Sequence, residues 1–164
     1  MALDVSRRTR IFNSSSVSSE DCIFCKIVSG KAPSLKVYED GEYVAFLDIQ
    51  PFSRGHTLVC PRKHGETIWD MDEAETAGLF RVAFRVSKAV VAAVGADGFR
   101  LVQNNGEAAN QAVPHVHVHV IPVMMEDKGR YGGRKSFSQQ EMESIAKSIR
   151  EKMKDTQGAR RGSA

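Results

Sequence analysis

The chain has 164 residues, 23 basic and 20 acidic, for a formal charge of +3. That length suits one domain with a substantial core, and so mild a charge excess gives no footing for nucleic-acid binding. No apolar run approaches the roughly 20 residues that span a bilayer. No membrane partner is expected, and the expected location is the cytoplasm.

Residues 1–20, "MALDVSRRTRIFNSSSVSSE", are rich in Arg and Ser and poor in acid. They read as a disordered tail, with an organelle-targeting segment as the weaker alternative. The folded domain is expected over 21–154, and residues 155–164 as a second disordered tail. Within the domain the pattern is α+β. "LKVYED" and "EYVAFLDI" are apolar-rich runs joined at Asp40-Gly41, a hairpin signal. "HTLVCPR", "FRLVQNN" and "HVHVHVIP" complete an expected five-stranded, mainly antiparallel sheet. Before the fourth strand, Leu79, Val82, Ala83, Val86, Val90 and Val91 recur at helical spacing and predict a long helix over about Asp72–Val94. Ser138 and Glu141 form an S-x-x-E capping box ahead of Met142, Ile145, Ile149 and Met153, which predicts a second amphipathic helix.

Two local patterns point to chemistry. Three cysteines cannot build a disulfide framework, and the spacing Cys22-x-x-Cys25 suggests metal or redox work instead. In "PHVHVHVIP", residues 114–122, histidine and valine alternate. A strand repeats side-chain direction every two residues, so His115, His117 and His119 share one face and Val116, Val118 and Val120 the other. The valines are expected in the core and the histidines on a wetter side. Three histidines in strict alternation, from a chain that holds five, argue against a merely polar face. Strand neighbours at i and i+2 stand about 6.7 Å apart, so two rings can converge on one ion, whereas the outer pair, about 13 Å apart, cannot share it across Zn–N bonds of about 2.0–2.1 Å. At least one imidazole is left for nucleophilic or acid–base work near neutral pH.

"HVHVHV" is similar to the signature of the histidine triad family. Upstream, "DIQPFSRGHTLVCPRKH" resembles that family's Asp-x-x-Pro-x-x-x-Gly-His segment, "CIFCKIVSGKAPSLKVYED" its opening strand, and "QNNGEAANQAVPHVHVHV" the loop into the triad. The likeness runs from Asp21 to about Val123. It implies a compact α+β fold that dimerises, and hydrolysis or transfer of nucleotides at the α-phosphate. By that resemblance His117 is the nucleophile, carrying a covalent nucleotidyl group that water then removes. His119 contacts phosphate, and His56 faces the triad across the sheet. Asn104 and Gln111 border ribose and phosphate, and Asp48 accepts from the ribose hydroxyls. Phe24, Ile27 and Phe46 match the apolar slot for a purine base, although ordinary core is an equal reading for them. Zinc-bearing members pair such cysteines with two histidines, which implies a structural zinc on Cys22, Cys25, His64 and His115, with no organic cofactor. Cys60, inside a strand run, reads as a small buried hydrophobe.

One departure touches the chemistry. Where the phosphoramidase branch has a serine that protonates the leaving group, this chain has Ala112. That branch's Trp-Pro-Pro-Gly ending is missing too, and a helix is expected instead. The leading expectation is hydrolysis of adenosine phosphoramidate-type conjugates. A dinucleoside polyphosphate hydrolase is the alternative, and a nucleotide- or zinc-binding module with vestigial activity is the alternative from another class.

Overall fold

The structure, a computed structural model, describes residues 18–130 and 132–158. The tail expected over 1–20 therefore lies almost wholly outside the described residues. Five strands form one antiparallel sheet: β1 Lys36–Glu39, β2 Tyr43–Leu47, β3 Thr57–Pro61, β4 Gly98–Gln103 and β5 Val118–Val123, in the order β1-β2-β3-β5-β4. The hairpin between β1 and β2 closes where expected, with the Asp40 carboxylate accepting from the backbone N–H groups of Glu42 and Tyr43 at 2.8 and 2.7 Å.

Helix α2, Glu73–Val94, matches its expected span. Asp72 caps its N-terminus by accepting from the Glu75 backbone N–H, and Gly95 ends it in the left-handed region at φ 67. Helix α3 is Gln139–Gly158, beyond the expected boundary at 154. Its capping box forms: the Ser138 N–H donates to Glu141 at 2.8 Å, and the Glu141 N–H donates to the Ser138 hydroxyl at 3.2 Å.

The alternation of the strands sorts the molecule into two layers. Tyr43, Ala45 and Leu47 of β2, Val59 of β3, and Val116, Val118 and Val120 bury against Leu79, Val82, Val86 and Val90 of α2 and Ile145, Ile149 and Met153 of α3. Val91 is only half-buried, at the margin of this layer. Val44, Phe46, Leu58 and Cys60 point to the other side, where they meet Cys22, Phe24 and Ile27. Both faces of β2 and β3 are thus covered, and every residue of the two strands is buried.

Two expectations are corrected here. "IFCKIV", matched to an opening strand, is the helix α1, Ile23–Val28. A single helical turn and a half is marginal on its own, and what holds it is the burial of Phe24, Ile27 and Cys22 against the sheet. The histidine face is also drier than expected. The α1 layer leaves His115 and His117 buried and only His119 half-buried.

Candidate functional site

The triad begins outside the ladder. β5 starts at Val118, and the chain before it is irregular, with the Val116 N–H donating to the Gly65 carbonyl at 2.8 Å. Direction still alternates, so the three imidazoles leave the valine layer together. His117 and His119 lie with ring centroids 4.8 Å apart, and Phe24 packs edge-on to His117 at 5.1 Å.

The hydrogen bonds assign the tautomers. His117 Nδ1 lies 2.6 Å from the His115 carbonyl oxygen, which can only accept, so Nδ1 carries the proton and Nε2 keeps its lone pair. The Phe52 backbone N–H donates to His56 Nδ1 at 3.2 Å, so the proton of His56 sits on Nε2. His56 Nε2 in turn donates to His119 Nδ1 at 3.0 Å, which places the His119 proton on its own Nε2. The chain of bonds ends in one bare imidazole nitrogen and one N–H donor on neighbouring rings. Gly55, at φ +85, makes the turn that brings His56 under His119.

Electrostatics keep these rings neutral. Burial pushes His56 down to about 4 and His119 down to about 3, overcoming the pull of the Asp48 carboxylate on each. Burial lowers His117 in the same direction. A neutral imidazole is the nucleophilic form.

The residues expected to touch nucleotide fall into three situations. Asp48 stands 3.5 Å from His56 Nδ1, and its other oxygen accepts from the Gln50 N–H at 2.9 Å. Asn104 shares a cavity wall with His119. Gln111 is committed to the chain itself, accepting from the Gly106 N–H at 2.6 Å and donating to the Glu66 carbonyl at 2.5 Å. It straps the Asn104 loop to residues 66–68, aided by Asn105, whose amide oxygen accepts from the Ile68 N–H at 2.8 Å. Phe24, Ile27 and Phe46 are buried together, with Phe24 bridging Phe46 and His117. Two isoleucines that no motif singled out are exposed nearby in the chain: Ile23 beside Phe24, and Ile49, 89% exposed, beside Asp48. Arg134 and Phe52 were missed as well. The guanidinium stacks over the Phe52 ring at 4.6 Å and donates to the Gln50 carbonyl. The only sequence signal for Arg134 is a basic pair after Gly132-Gly133.

Cys22, Cys25, His64 and His115 converge, with one ligand atom from each lying within 4.8 Å of all the others. Cys22 Sγ and Cys25 Sγ are both 3.5 Å from His115 Nδ1, and Cys25 Sγ is 3.3 Å from His64 Nδ1. Bonds of about 2.3 Å to sulfur and about 2.0–2.1 Å to nitrogen give a tetrahedron edge of about 3.5 Å. The donor set fits zinc in type, number and spacing. His115 Nε2 donates to the Pro61 carbonyl at 2.9 Å, which leaves Nδ1 unprotonated for a metal. Cys60, fully buried, stays outside the cluster.

Comparison with known proteins follows the same outline. The HIT domain model matches residues 29–125. The adenosine 5'-monophosphoramidase hnt1 of Schizosaccharomyces pombe is 38% identical over 135 residues, 81% of this chain and 98% of that protein. The adenylylsulfatase HINT3 of Arabidopsis thaliana is 42% identical over 108 residues, 66% of this chain and 55% of that protein. Among solved structures, a Zn-bound histidine triad family protein from Mycobacterium smegmatis superposes with a TM-score of 0.79 at 36% identity, covering 87% of this chain and 99% of that one. With the triad, the sheet order and the domain match in agreement, the chain belongs to the histidine triad family.

Proposed function

We propose that this chain is a nucleotidyl hydrolase that cleaves nucleotide conjugates at the α-phosphate through a covalent intermediate on His117. The observation that carries the reading is the tautomer chain: a bare His117 Nε2 stands beside a His119 Nε2–H that Phe52 and His56 hold in place. His117 Nε2 forms a bond to phosphorus as the bond from phosphorus to the leaving group breaks. The leaving group departs with that electron pair, an amine taking its proton from water, and the positive charge that develops on the His117 ring is met by the His115 carbonyl at Nδ1. His119 Nε2–H donates to a phosphoryl oxygen whose charge rises in the transition state. Water then forms a P–O bond with the nucleotidyl phosphorus and releases a proton to solvent, and the N–P electron pair returns to His117 Nε2. Splitting one displacement into two is the gain.

On this reading Asp48 accepts from the ribose hydroxyls, and Asn104 binds phosphate from the loop that Gln111 secures. Phe24, Ile27 and Phe46 form the floor of the purine slot, which Ile23 and Ile49 extend. The names of the yeast and plant relatives, a phosphoramidase and an adenylylsulfatase, support adenylyl conjugates as substrates. The named activities are hydrolytic, which disfavours a binding module.

Zinc on Cys22, Cys25, His64 and His115 would serve as a structural ion, tying α1 to the segment before β5; its chemistry is to fix four ligands, with no part in either displacement. Thiols kept reduced for such a site suit the cytoplasm. A homodimer is supported by Phe80 and Phe84 on α2 and Phe99 and Leu101 on β4, all exposed, with β4 at the open edge of the sheet.

The test is His117→Ala. Turnover of adenosine 5'-phosphoramidate should fall by roughly a thousandfold or more, while AMP binding by calorimetry persists. Mass spectrometry of the quenched parent should show one AMP residue on the His117 peptide. Turnover within about tenfold of the parent removes the assignment.

A further inference from the structure

The two sulfurs of Cys22-x-x-Cys25 are also placed for chemistry on each other. Cys22 immediately precedes α1 and Cys25 is its third residue, with the Lys26 N–H donating to the Cys22 carbonyl at 3.1 Å. That bond closes one helical turn between them, and a turn sets Cα atoms three residues apart at about 5 Å. Disulfides span about 4.4–6.8 Å between Cα atoms, so side-chain rotation suffices to join the pair. The side chains already converge: each Sγ stands 3.5 Å from His115 Nδ1, and the two lie within 4.8 Å of one another.

Burial gives the two sulfurs different parts. Cys25 is half-buried, whereas Cys22 is only 2% exposed. A small oxidant arriving from solvent therefore meets Cys25 first, and Cys22 is the neighbour that can close on it. The chain has three cysteines, and the third, Cys60, is fully buried in β3 and outside the cluster. It does not compete.

We propose that Cys22 and Cys25 are a reversible oxidation site, joined as a disulfide by a small peroxide and reopened by a thiol, and that this disulfide and zinc exclude each other. Cys25 gives up its thiol proton, its sulfur forms a bond to one oxygen of hydrogen peroxide, and the O–O bond breaks. The departing hydroxide takes a proton and leaves as water, with Cys25 now a sulfenic acid. Cys22 then gives up its proton, its sulfur forms the S–S bond at Cys25, and hydroxide leaves that sulfur to become a second water. Two thiols are oxidised by two electrons, and one peroxide is reduced to two waters. A thiol reductant restores both cysteines through a mixed disulfide. Zinc takes thiolate sulfur, and a disulfide has none to give. Oxidation leaves only His64 and His115 of the four ligands, and the tie between α1 and the segment before β5 opens. Neither step involves His117 or a nucleotide.

The test treats the full chain, reduced and with zinc added, with hydrogen peroxide at about one to five equivalents, then alkylates it for mass spectrometry beside a chromogenic zinc assay. The chain should become lighter by two hydrogens, with Cys22 and Cys25 in one linked peptide. Bound zinc should fall from about one per chain to under about a tenth of that. Dithiothreitol should restore both thiols and the uptake of zinc. In Cys22→Ser the linkage should vanish and dimedone should label Cys25 instead, whereas Cys60→Ser should match the parent. A disulfide that includes Cys60 or joins two chains overturns the site. So does a parent in which Cys22 and Cys25 both stay open to alkylation, or in which Cys25 passes to sulfinic acid with Cys22 untouched. A linked form that still holds zinc overturns the exclusion. A reduced chain that takes up no zinc removes the zinc site and the exclusion with it, and the linked peptide still decides the disulfide.

Discussion

Acid should unfold this protein through His56 in a way that can be calculated. The residue is 1% exposed, and burial holds its ring neutral with a pKa of about 4, against about 6.5 for an unfolded imidazole. Because the folded value is depressed, the unfolded chain takes up the proton first. Stability from this group is therefore whole above about pH 6.5 and is lost as pH falls towards 4. At pH 5 the unfolded ring is almost fully protonated and the folded ring almost not at all, a difference of about 2 kcal/mol relative to pH 7. The figure barely depends on the folded value so long as that stays well under 5. For a chain of this size about 2 kcal/mol is about 4–8 °C in Tm. The assay is urea unfolding at pH 7 and pH 5 for the parent and His56→Gln. The variant starts from lower stability, since its bonds with Phe52 and His119 are altered, but its loss between the two pH values should be smaller by about 2 kcal/mol. Protonation of groups that do not touch His56 is common to both proteins and cancels in the difference. Equal losses in parent and variant would refute the buried neutral imidazole.

Elemental analysis of protein purified without chelator should find about one zinc per chain, and Cys22→Ser/Cys25→Ser should carry almost none. Zinc retained by that variant would remove the site. Phe84→Glu, which places a charge in the exposed apolar surface of α2, should convert a sedimenting dimer to single chains at micromolar concentration; an unchanged mass in both proteins, or a parent that is already monomeric, counts against the interface. Gly78→Ala sets a Cβ 2.1 Å from the Tyr43 hydroxyl oxygen, which now donates to the Glu75 carbonyl at 2.8 Å. The displaced ring should cost about 1–3 kcal/mol in denaturant unfolding, with no change in KM.

Periodicity alone was enough for much of this molecule. The valines of "HVHVHV" had to leave for the core once the histidines were wanted together, because side-chain direction along an extended chain has period two. Leu79, Val82, Val86 and Val90 specified α2 and its buried face by the same kind of local rule, and Asp72, Gly95 and the Ser138–Glu141 box marked helix ends because capping is a short-range hydrogen-bond problem. The residues proposed to hold zinc and the proposed nucleophile were named by resemblance to a family, not from spacing.

Tertiary structure decided what local rules leave open. Six residues of "IFCKIV" hold too few hydrogen bonds to choose helix for themselves, and the choice was made by the burial of Phe24 and Ile27 on the sheet and by Cys25 meeting His64 and His115. The tautomers of His117 and His119 depend on a carbonyl, a backbone N–H and a third imidazole brought from residues 52 and 56. Nor could spacing reveal that Gln111 is spent on the Glu66 carbonyl, or that Arg134, 86 residues after Asp48, reaches across to it. Those are contacts between segments far apart in the chain, set by how the sheet and its loops close, and a pattern of neighbours carries no record of them.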